Sequence, residues 1–356
     1  MAKRTMAFDL RSAEDRPTGV GRYLLSIATA AAGVPGVSVR AYTRAGDVDL
    51  PESVETVAIR RRGLAWHLAV WRHLRRHPVT AYISTSLLVP SFPGVKALPV
   101  ILDASSFRVP QHQALRTRLF EHLLMGRVAR RHRLIFGTEA AGNDIRDLFP
   151  GARGVVVPPW FPNRAAESGA FEPESEPAPA RPYALIVGTV EPRKNVLFAA
   201  TVVARLRAQG RDVRLVIIGR KGWASENEVA EIERLKDDGT VFWPGYVTDH
   251  QRDALYAGAA ALLMPSVYEG FGMPLIEAMA AGVPCLCSAI PVFQEVAGKA
   301  ALMLDPTRLE DWAAALDRVL NEPTLAAGLK DAGLRRATDF TRERTAQELL
   351  RALDQV

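Results

Sequence analysis

The chain has 356 residues, 48% apolar and 24% charged, with a formal net charge of +6. That length exceeds what one core usually spans, so two domains are expected, and the composition is that of an ordinary soluble protein. No uncharged apolar run reaches membrane-spanning length, which excludes a spanning helix. The charge is uneven. Residues 1–165 carry 24 Lys and Arg against 12 Asp and Glu, or +12, and the remainder carries 21 against 27, or −6. A basic half suits an anionic partner (phosphate, membrane surface or nucleic acid), or is a face of solvated arginines. The two cysteines, Cys285 and Cys287, stand at i and i+2, on one face of a strand, a poor geometry for a mutual disulfide. Two buried, reduced thiols are expected.

The N-terminus runs directly into strand and loop without the apolar core of a secretory leader, so a cytoplasmic setting is expected. Residues 5–10 predict a strand, 11–23 a Gly- and Pro-bearing loop, and 23–33 a helix ended by Gly33. Further strands are expected at 37–43, 80–85, 98–105, 133–138 and 154–159. Residues 64–77 read as a basic amphipathic helix stopped by Pro78. Residues 112–133 read as another, with Leu115, Leu119, Phe120, Leu123, Leu124 and Val128 forming one apolar stripe at helical spacing.

Residues 167–182 are rich in Pro, Glu and Ala without periodicity and read as a linker. The expected organisation is an N-terminal domain over 1–165, a linker over 166–182 and a C-terminal domain over 183–340. A final helix over 341–356 packs back across the junction. The second domain repeats strand and helix. Strands are expected at 183–190, 213–219, 240–247, 260–266 and 283–288, and helices at 195–210, 226–239, 250–259, 274–282 and 309–321. Such alternation implies βαβ units and parallel sheets, which bind ligands at the carboxyl ends of their strands.

Three loops carry candidate chemistry. In residues 264–288, MPSVYEGFGMPLIEAMAAGVPCLCS, Glu269 and Glu277 stand eight apart around Gly270, Gly272 and Pro274. Pro274 suits a first helical turn. Glu269 then lies at a strand's carboxyl end and Glu277 in the first turn of the helix, where free amides and the dipole attract an anion such as phosphate. A carboxylate there would repel that anion unless aimed at hydroxyls, such as those of a ribose. The alternative is that Glu277 complements the helix dipole and Glu269 is a solvated loop residue. In VGTVEPRKNV (187–196), Arg193 and Lys194 combine a planar fork with a point charge, suited to a diphosphate, and Asn195 can cap the following helix. Two exposed loop cations are the alternative, weakened because this loop lies at a strand's carboxyl end on the same edge as Glu269. In RPTGVGRY (16–23), Gly19 and Gly21 would let backbone amides approach an anion, or simply make a turn.

Taken together, YEGFGMPLIEAMAAG, GTVEPRKN and PTGVGRY resemble the retaining glycosyltransferases of family 4, as do VFWPGYVTDHQRDALYAGAAALLMPS and FQEVAGKAALMLDP. The likeness is close over roughly 183–340 and looser over 1–165. It implies an α/β chain of two Rossmann-like domains facing across a cleft, the type-B glycosyltransferase fold. The C-terminal domain would hold a nucleotide-sugar donor, GDP- or UDP/dTDP-linked, and the N-terminal domain a saccharide or lipid-linked acceptor. By the same resemblance the catalytic set is Glu269, Arg193, Lys194 and Asp103. The donor is held by Gly188, Thr189, Gly270, Phe271, Gly272, Met273, Pro274, Leu275 and Glu277, with the base near Tyr246 and Val247. Gly19 and Gly21 would close on the diphosphate. No cofactor or metal is implied.

The chain departs from that family in places. Where members often have His-Asp, it has Leu102-Asp103, so only the backbone carbonyl there could keep a role. Thr189 stands where many members place an arginine, so Arg193 must substitute; this matches the E-P-R-K-N subgroup, which suggests mannosyl- or rhamnosyl-like transfer. Residues 156–163, VVPPWFPN, lack the usual Asn-Gly turn. Asp47-Val48-Asp49 is a D-x-D away from the proposed donor site, and His73 and His77 share a helix face without a third ligand, so neither reads as a metal site. Arg60, Arg61, Arg62, Arg72, Arg75 and Arg76 cluster around the Trp66/Trp71 helix, a face suited to anionic lipid on the inner side of a membrane. The expected activity is retaining hexosyl transfer in polysaccharide or glycolipid assembly. A nucleotide-sugar 2-epimerase and a donor-binding subunit without turnover are the alternatives. Nucleic acid is not an expected partner, since no recognition module or aromatic platform is present.

Overall fold

A computed structural model describes residues 4–14, 17–44, 48–90, 92–161 and 182–355. The chain divides into two compact units, Met1–Trp160 with Phe340–Val356, and Phe161–Asp339. The expected linker lies almost wholly outside the described residues, as does Asp47 of the D-x-D.

In the first unit, β1 (Arg4–Asp9), β2 (Val37–Thr43), β3 (Glu55–Ala58), β4 (Ala81–Ser84) and β5 (Lys96–Pro99) form a sheet in the order β3-β2-β1-β4-β5, with every pair parallel. A parallel pair, β6 (Arg133–Phe136) and β7 (Arg153–Val156), joins through a bridge between Val100 and Ile135. Strand β3 was not anticipated: ETVA is short, edge-placed and largely exposed, so it has no buried alternation to read. The strand expected over 98–105 ends at Pro99 and yields to loop and a short helix, α3 (Ser105–Arg108).

Helix α1 (Gly19–Ala32) begins four residues before the expected start. Gly19 and Gly21 are therefore first-turn helical residues and not loop residues. Thr18 caps this helix, its side chain accepting from the Gly21 N–H. A Cβ on Gly21 would lie 1.8 Å from the Ser12 carbonyl oxygen, so this glycine is required by close backbone packing.

Helices α2 (Gly63–Arg76) and α4 (Leu115–Arg131) match the sequence expectation, but their faces do not. An apolar helical stripe ordinarily faces the core. In α4 the side chains that pack inward are Met125, Val128 and Ala129, while Leu115, Leu119, Phe120 and Leu123 are 65%, 63%, 42% and 78% exposed. Trp66 of α2 is fully buried, and Leu64 and Leu68 are exposed in its place. Helix α5 (Glu139–Leu148) follows β6. The last helix, Arg342–Asp354, belongs to this unit. Its Leu349, Ala352 and Leu353 share a core with Leu24, Ile27 and Phe8.

The second unit is a six-stranded parallel sheet: β8 (Tyr183–Val187), β9 (Arg214–Ile218), β10 (Val241–Gly245), β11 (Ala261–Met264), β12 (Cys285–Ser288) and β13 (Leu302–Leu304). The order is β10-β9-β8-β11-β12-β13. Helix α6 (Val196–Ala208) follows β8, α7 (Glu226–Asp237) follows β9, α8 (Asp249–Ala257) follows β10, and α9 (Met273–Ala280) follows β11. Helices Pro291–Ala297 and Pro323–Ala337 add to those expected. The strand order reverses between β8 and β11, and at such a switch point the two outgoing loops diverge and leave a crevice. Cys285 and Cys287 are buried free thiols on β12, and burial pushes both up, Cys287 to about 12.

Candidate active site

The loops leaving β8 and β11, at that switch point, carry the strongest polar constellation of the second unit. They are tied by a backbone bond from Val267 N–H to the Arg193 carbonyl (2.9 Å). Gly188 (φ 146°) turns the chain out of β8, and a Cβ there would meet the Lys194 side chain at 3.2 Å. Asn195 adopts left-handed backbone (φ 55°). It stands at the N-cap of α6, but its side chain makes no capping bond and donates to the Pro306 carbonyl at 3.2 Å. The capping expected of it is therefore absent, because left-handed backbone aims the amide at the next loop.

Glu269 is 5% exposed and both its oxygens are engaged. Arg193 Nη1 donates to Oε2 at 2.8 Å, while Lys194 Nζ donates to Oε1 at 2.6 Å and Ser266 Oγ at 3.0 Å. Burial alone would raise this carboxyl, but Lys194 and Arg193 outweigh it and hold it at about 2. Arg193 also donates to the Tyr268 carbonyl (3.3 Å), and its Nε lies 2.6 Å from the buried Glu191. The site is thus a closed set of two carboxylates and two cations, not a solvated loop. In this state the Arg193 and Lys194 charges are directed at Glu269.

Helix α9 starts at Met273 from Gly272, whose φ of 87° favours glycine and whose Cβ would strike Phe293 at 2.6 Å. Pro274 occupies the first turn as expected. It carries no N–H, and the Leu275 N–H closes on the Gly272 carbonyl at 2.9 Å, so this turn offers an anion fewer donors than its position implies. Leu275, Met273 and Phe271 have buried side chains, which leaves only their backbone to face a ligand. Glu277 lies in the second turn, not the first, so it does not cap the dipole. Its Oε2 accepts from Tyr256 Oη at 2.9 Å and stands 3.9 Å from Arg252 Nε. Burial disfavours the Arg252 charge, but Glu277, Tyr256, Asp249 and Asp253 prevail and raise its pKa.

Thr189 lies in the β8 loop, where a Cβ on Gly222 would come within 2.5 Å of its methyl. Gly270 is buried beside Glu269. Tyr246 and Val247 lie at the carboxyl end of β10, just before the capping box of Thr248 and Gln251. Asp103, Gly19 and Gly21 belong to the first unit. Asp103 accepts from the Ser105 N–H at 2.9 Å, a local turn bond. His73 stacks on His77 and its Nδ1 bonds with Tyr42 Oη at 2.9 Å. No group of three His, Cys, Asp or Glu side chains able to hold a metal occurs among the described residues. Sequence reasoning missed Ser266, Glu191, Tyr256 and Arg252. The first two sit in the quoted loops, while the last two lie 21 and 25 positions before Glu277, beyond any local spacing.

Residues 170–336 match the family model described as glycosyl transferases group 1. The chain is 29% identical over 307 residues to the O-antigen chain mannosyltransferase B of Escherichia coli, a likeness covering 82% of this chain and 77% of that protein. Among solved structures it resembles sucrose-phosphate synthase from Thermosynechococcus elongatus, with a TM-score of 0.77, 19% identity, and 99% and 98% of the two chains covered. It also resembles WaaG, a glycosyltransferase involved in lipopolysaccharide biosynthesis, with a TM-score of 0.73, 20% identity and 99% of each chain covered. The fold is therefore that of the GT-B glycosyltransferases, two Rossmann-like domains of parallel sheet. Over residues 170–336 the chain is thus similar to glycosyl transferases group 1, and over 307 residues to a mannosyltransferase.

Proposed function

We infer that the protein moves a hexosyl unit, mannose- or rhamnose-like, from a nucleoside diphosphate sugar to a hydroxyl with retained configuration and without a metal. The observation that carries this reading is the Glu269–Arg193–Lys194 cluster at the sheet's switch point. When a diphosphate enters, its oxygens replace Glu269 as partners of the two cations, which then stabilise the developing negative charge of the leaving group. Glu269, released in part, orients the donor sugar. The departing phosphate oxygen takes the acceptor's proton, consistent with retention by front-face attack. Glu277 accepts hydrogen bonds from the ribose, and the backbone at Tyr246 and Val247 meets the base. The relative acting on O-antigen supports a setting in polysaccharide or glycolipid assembly, and the acceptor is assigned to the first unit.

A thermal-shift panel of GDP, UDP, dTDP and ADP without metal tests the donor site. A ligand at a hundred times its Kd stabilises by about 2.7 kcal/mol, which raises the melting point by several degrees. One base is expected to give this shift in EDTA, with Glu277→Ala abolishing it. A shift that requires a divalent ion would overturn the metal-free mechanism. Turnover of donor by the protein alone to an isomeric sugar nucleotide would favour the epimerase alternative.

The partner surface is assigned to the first unit. Leu115, Leu119 and Leu123 project from α4 with Arg116, Arg127 and Arg130 exposed around them, and exposed Arg61, Arg62 and Arg72 flank Leu64 and Leu68 on α2. Apolar side chains with an arginine surround suit an anionic bilayer surface. No helix among the described residues is long and apolar enough to cross a membrane. The protein is expected to sediment with phosphatidylglycerol vesicles at low salt, and Leu119→Glu/Leu123→Glu to remain in the supernatant. Equal recovery with neutral vesicles would remove the charge from this account.

A further inference from the structure

Glu277 is a half-buried carboxylate whose two oxygens are treated differently. Both of its protein neighbours among the described residues gather on Oε2: Tyr256 Oη at 2.9 Å, and Arg252 Nε at 3.9 Å. Oε1 has neither. The Arg252 fork is itself fixed, Nη1 on Asp249 at 2.9 Å and Nη2 on Asp253 at 3.1 Å, so Nε is the edge it turns to Glu277. Tyr256 is nearly fully buried and its ring sits against α9. The hydroxyl also lies 3.4 Å from the Pro274 carbonyl, but its single proton has the shorter path to the charged oxygen. A carboxylate free at Cγ–Cδ would rotate between equivalent acceptors. Here the rotation is closed and one oxygen is reserved.

We propose that Tyr256 and Arg252 are positioning residues that hold Glu277 by Oε2 so that Oε1 accepts the sugar hydroxyls of a nucleoside diphosphate. The assignment rests on the nucleotide-sugar reading above and names the groups that set its recognition of the ribose. Neither side chain touches the ligand. Their contribution is to keep the acceptor aimed, an orientation that a two-hydroxyl ligand exploits and a ligand without hydroxyls does not.

The experiment compares, for the nucleoside diphosphate that binds best, its affinity with that of the analogue lacking both sugar hydroxyls. The wild-type protein is expected to prefer the hydroxylated form by about a hundredfold, as two hydrogen bonds to a charged acceptor imply. In Tyr256→Phe, which keeps the ring, that preference is expected to fall to about tenfold with the analogue's own affinity unchanged. Arg252→Lys serves as a second variant should Tyr256→Phe fail to fold, and is expected to shift the preference the same way. An unaltered preference in folded variants overturns the proposal, as does a wild-type protein indifferent to the hydroxyls, and both leave the donor site standing. A wild-type protein that binds no nucleoside diphosphate removes the reading beneath it as well.

Discussion

Glu269→Gln is expected to abolish glycosyl transfer while nucleoside diphosphate binding stays near wild type or tightens. The carboxylate is buried and serves two cations at 2.6 and 2.8 Å, so neutralising it frees Arg193 and Lys194 for phosphate oxygens but removes the group that orients the sugar. Stability should move the other way. Removing one partner of a buried ion pair costs about 3–5 kcal/mol, here moderated because Arg193 keeps Glu191. Added diphosphate should restore much of that loss by supplying negative charge to the same cations. The sign with pH follows from a folded-state carboxyl at about 2 against an ordinary 4.5. A depressed carboxyl contributes its full stabilisation above the unfolded value and loses it as pH falls through the folded one. Wild-type stability should therefore decline between about pH 4.5 and 2, and the glutamine variant should show a flatter limb there. Calorimetry across that range, with a transfer assay, checks both halves. Substantial turnover in the variant would sink the role given to Glu269.

Gly219→Ala is expected to destabilise the second unit severely. At φ 148°, a Cβ would sit 1.9 Å from the Gly188 carbonyl oxygen and 3.2 Å from the Thr189 nitrogen. Neither neighbour is a side chain that could swing aside, because Gly188 N–H is bonded to the Ile218 carbonyl (2.8 Å) and Gly219 N–H to the Gly245 carbonyl (2.8 Å). The collision would part the β8 and β9 exits, costing about 3 kcal/mol or more and lowering the melting point by about 10 °C. The same displacement would move the loop bearing Arg193 and Lys194, so nucleotide affinity should fall with stability. Gly328→Ala is the matched control. It lies inside the helix Pro323–Ala337 with nothing within 4 Å of the added methyl, and should be neutral or slightly stabilising. If the two variants melt alike, the close approach at Gly219 is not structural.

The strand-and-helix alternation was readable because a doubly covered parallel sheet needs continuous apolar runs, as in β8 (YALIV) and β9 (RLVII). Glu269, Arg193 and Lys194 were readable as loop groups because glycine and proline announce where those runs stop. Which partners they choose was not. The cations meet Glu269 only through a strand pairing that brings residues 75 positions apart together. Helix α4 shows another limit. Period alone draws an apolar stripe, but it cannot say whether protein covers it, and Leu123 stays exposed while Met125 and Ala129 pack. Gly21 reads as a loop residue for a physical reason as well. A glycine demanded by contact with Ser12 looks, in sequence, like one demanded by a turn.

The order in which the units are encoded bears on how the protein is made. The first unit is interrupted: its opening portion, through Trp160, leaves the ribosome well before Phe340–Val356, which follow the whole of the contiguous second unit. The late helix Arg342–Asp354 supplies Leu349, Ala352 and Leu353 to the core beside Leu24 and Ile27. It is anchored by Thr345 Oγ1 donating to the Pro158 carbonyl at 2.8 Å and Arg342 Nη2 to the Thr29 carbonyl at 2.8 Å. At about 5–20 residues per second, the nascent N-terminal portion waits on the order of 10–40 s with that apolar strip uncovered. The second unit, begun later, can finish first. Vulnerability to aggregation during synthesis is thus concentrated in the early half, and a chain cut short before Arg342 would remain in that incomplete state.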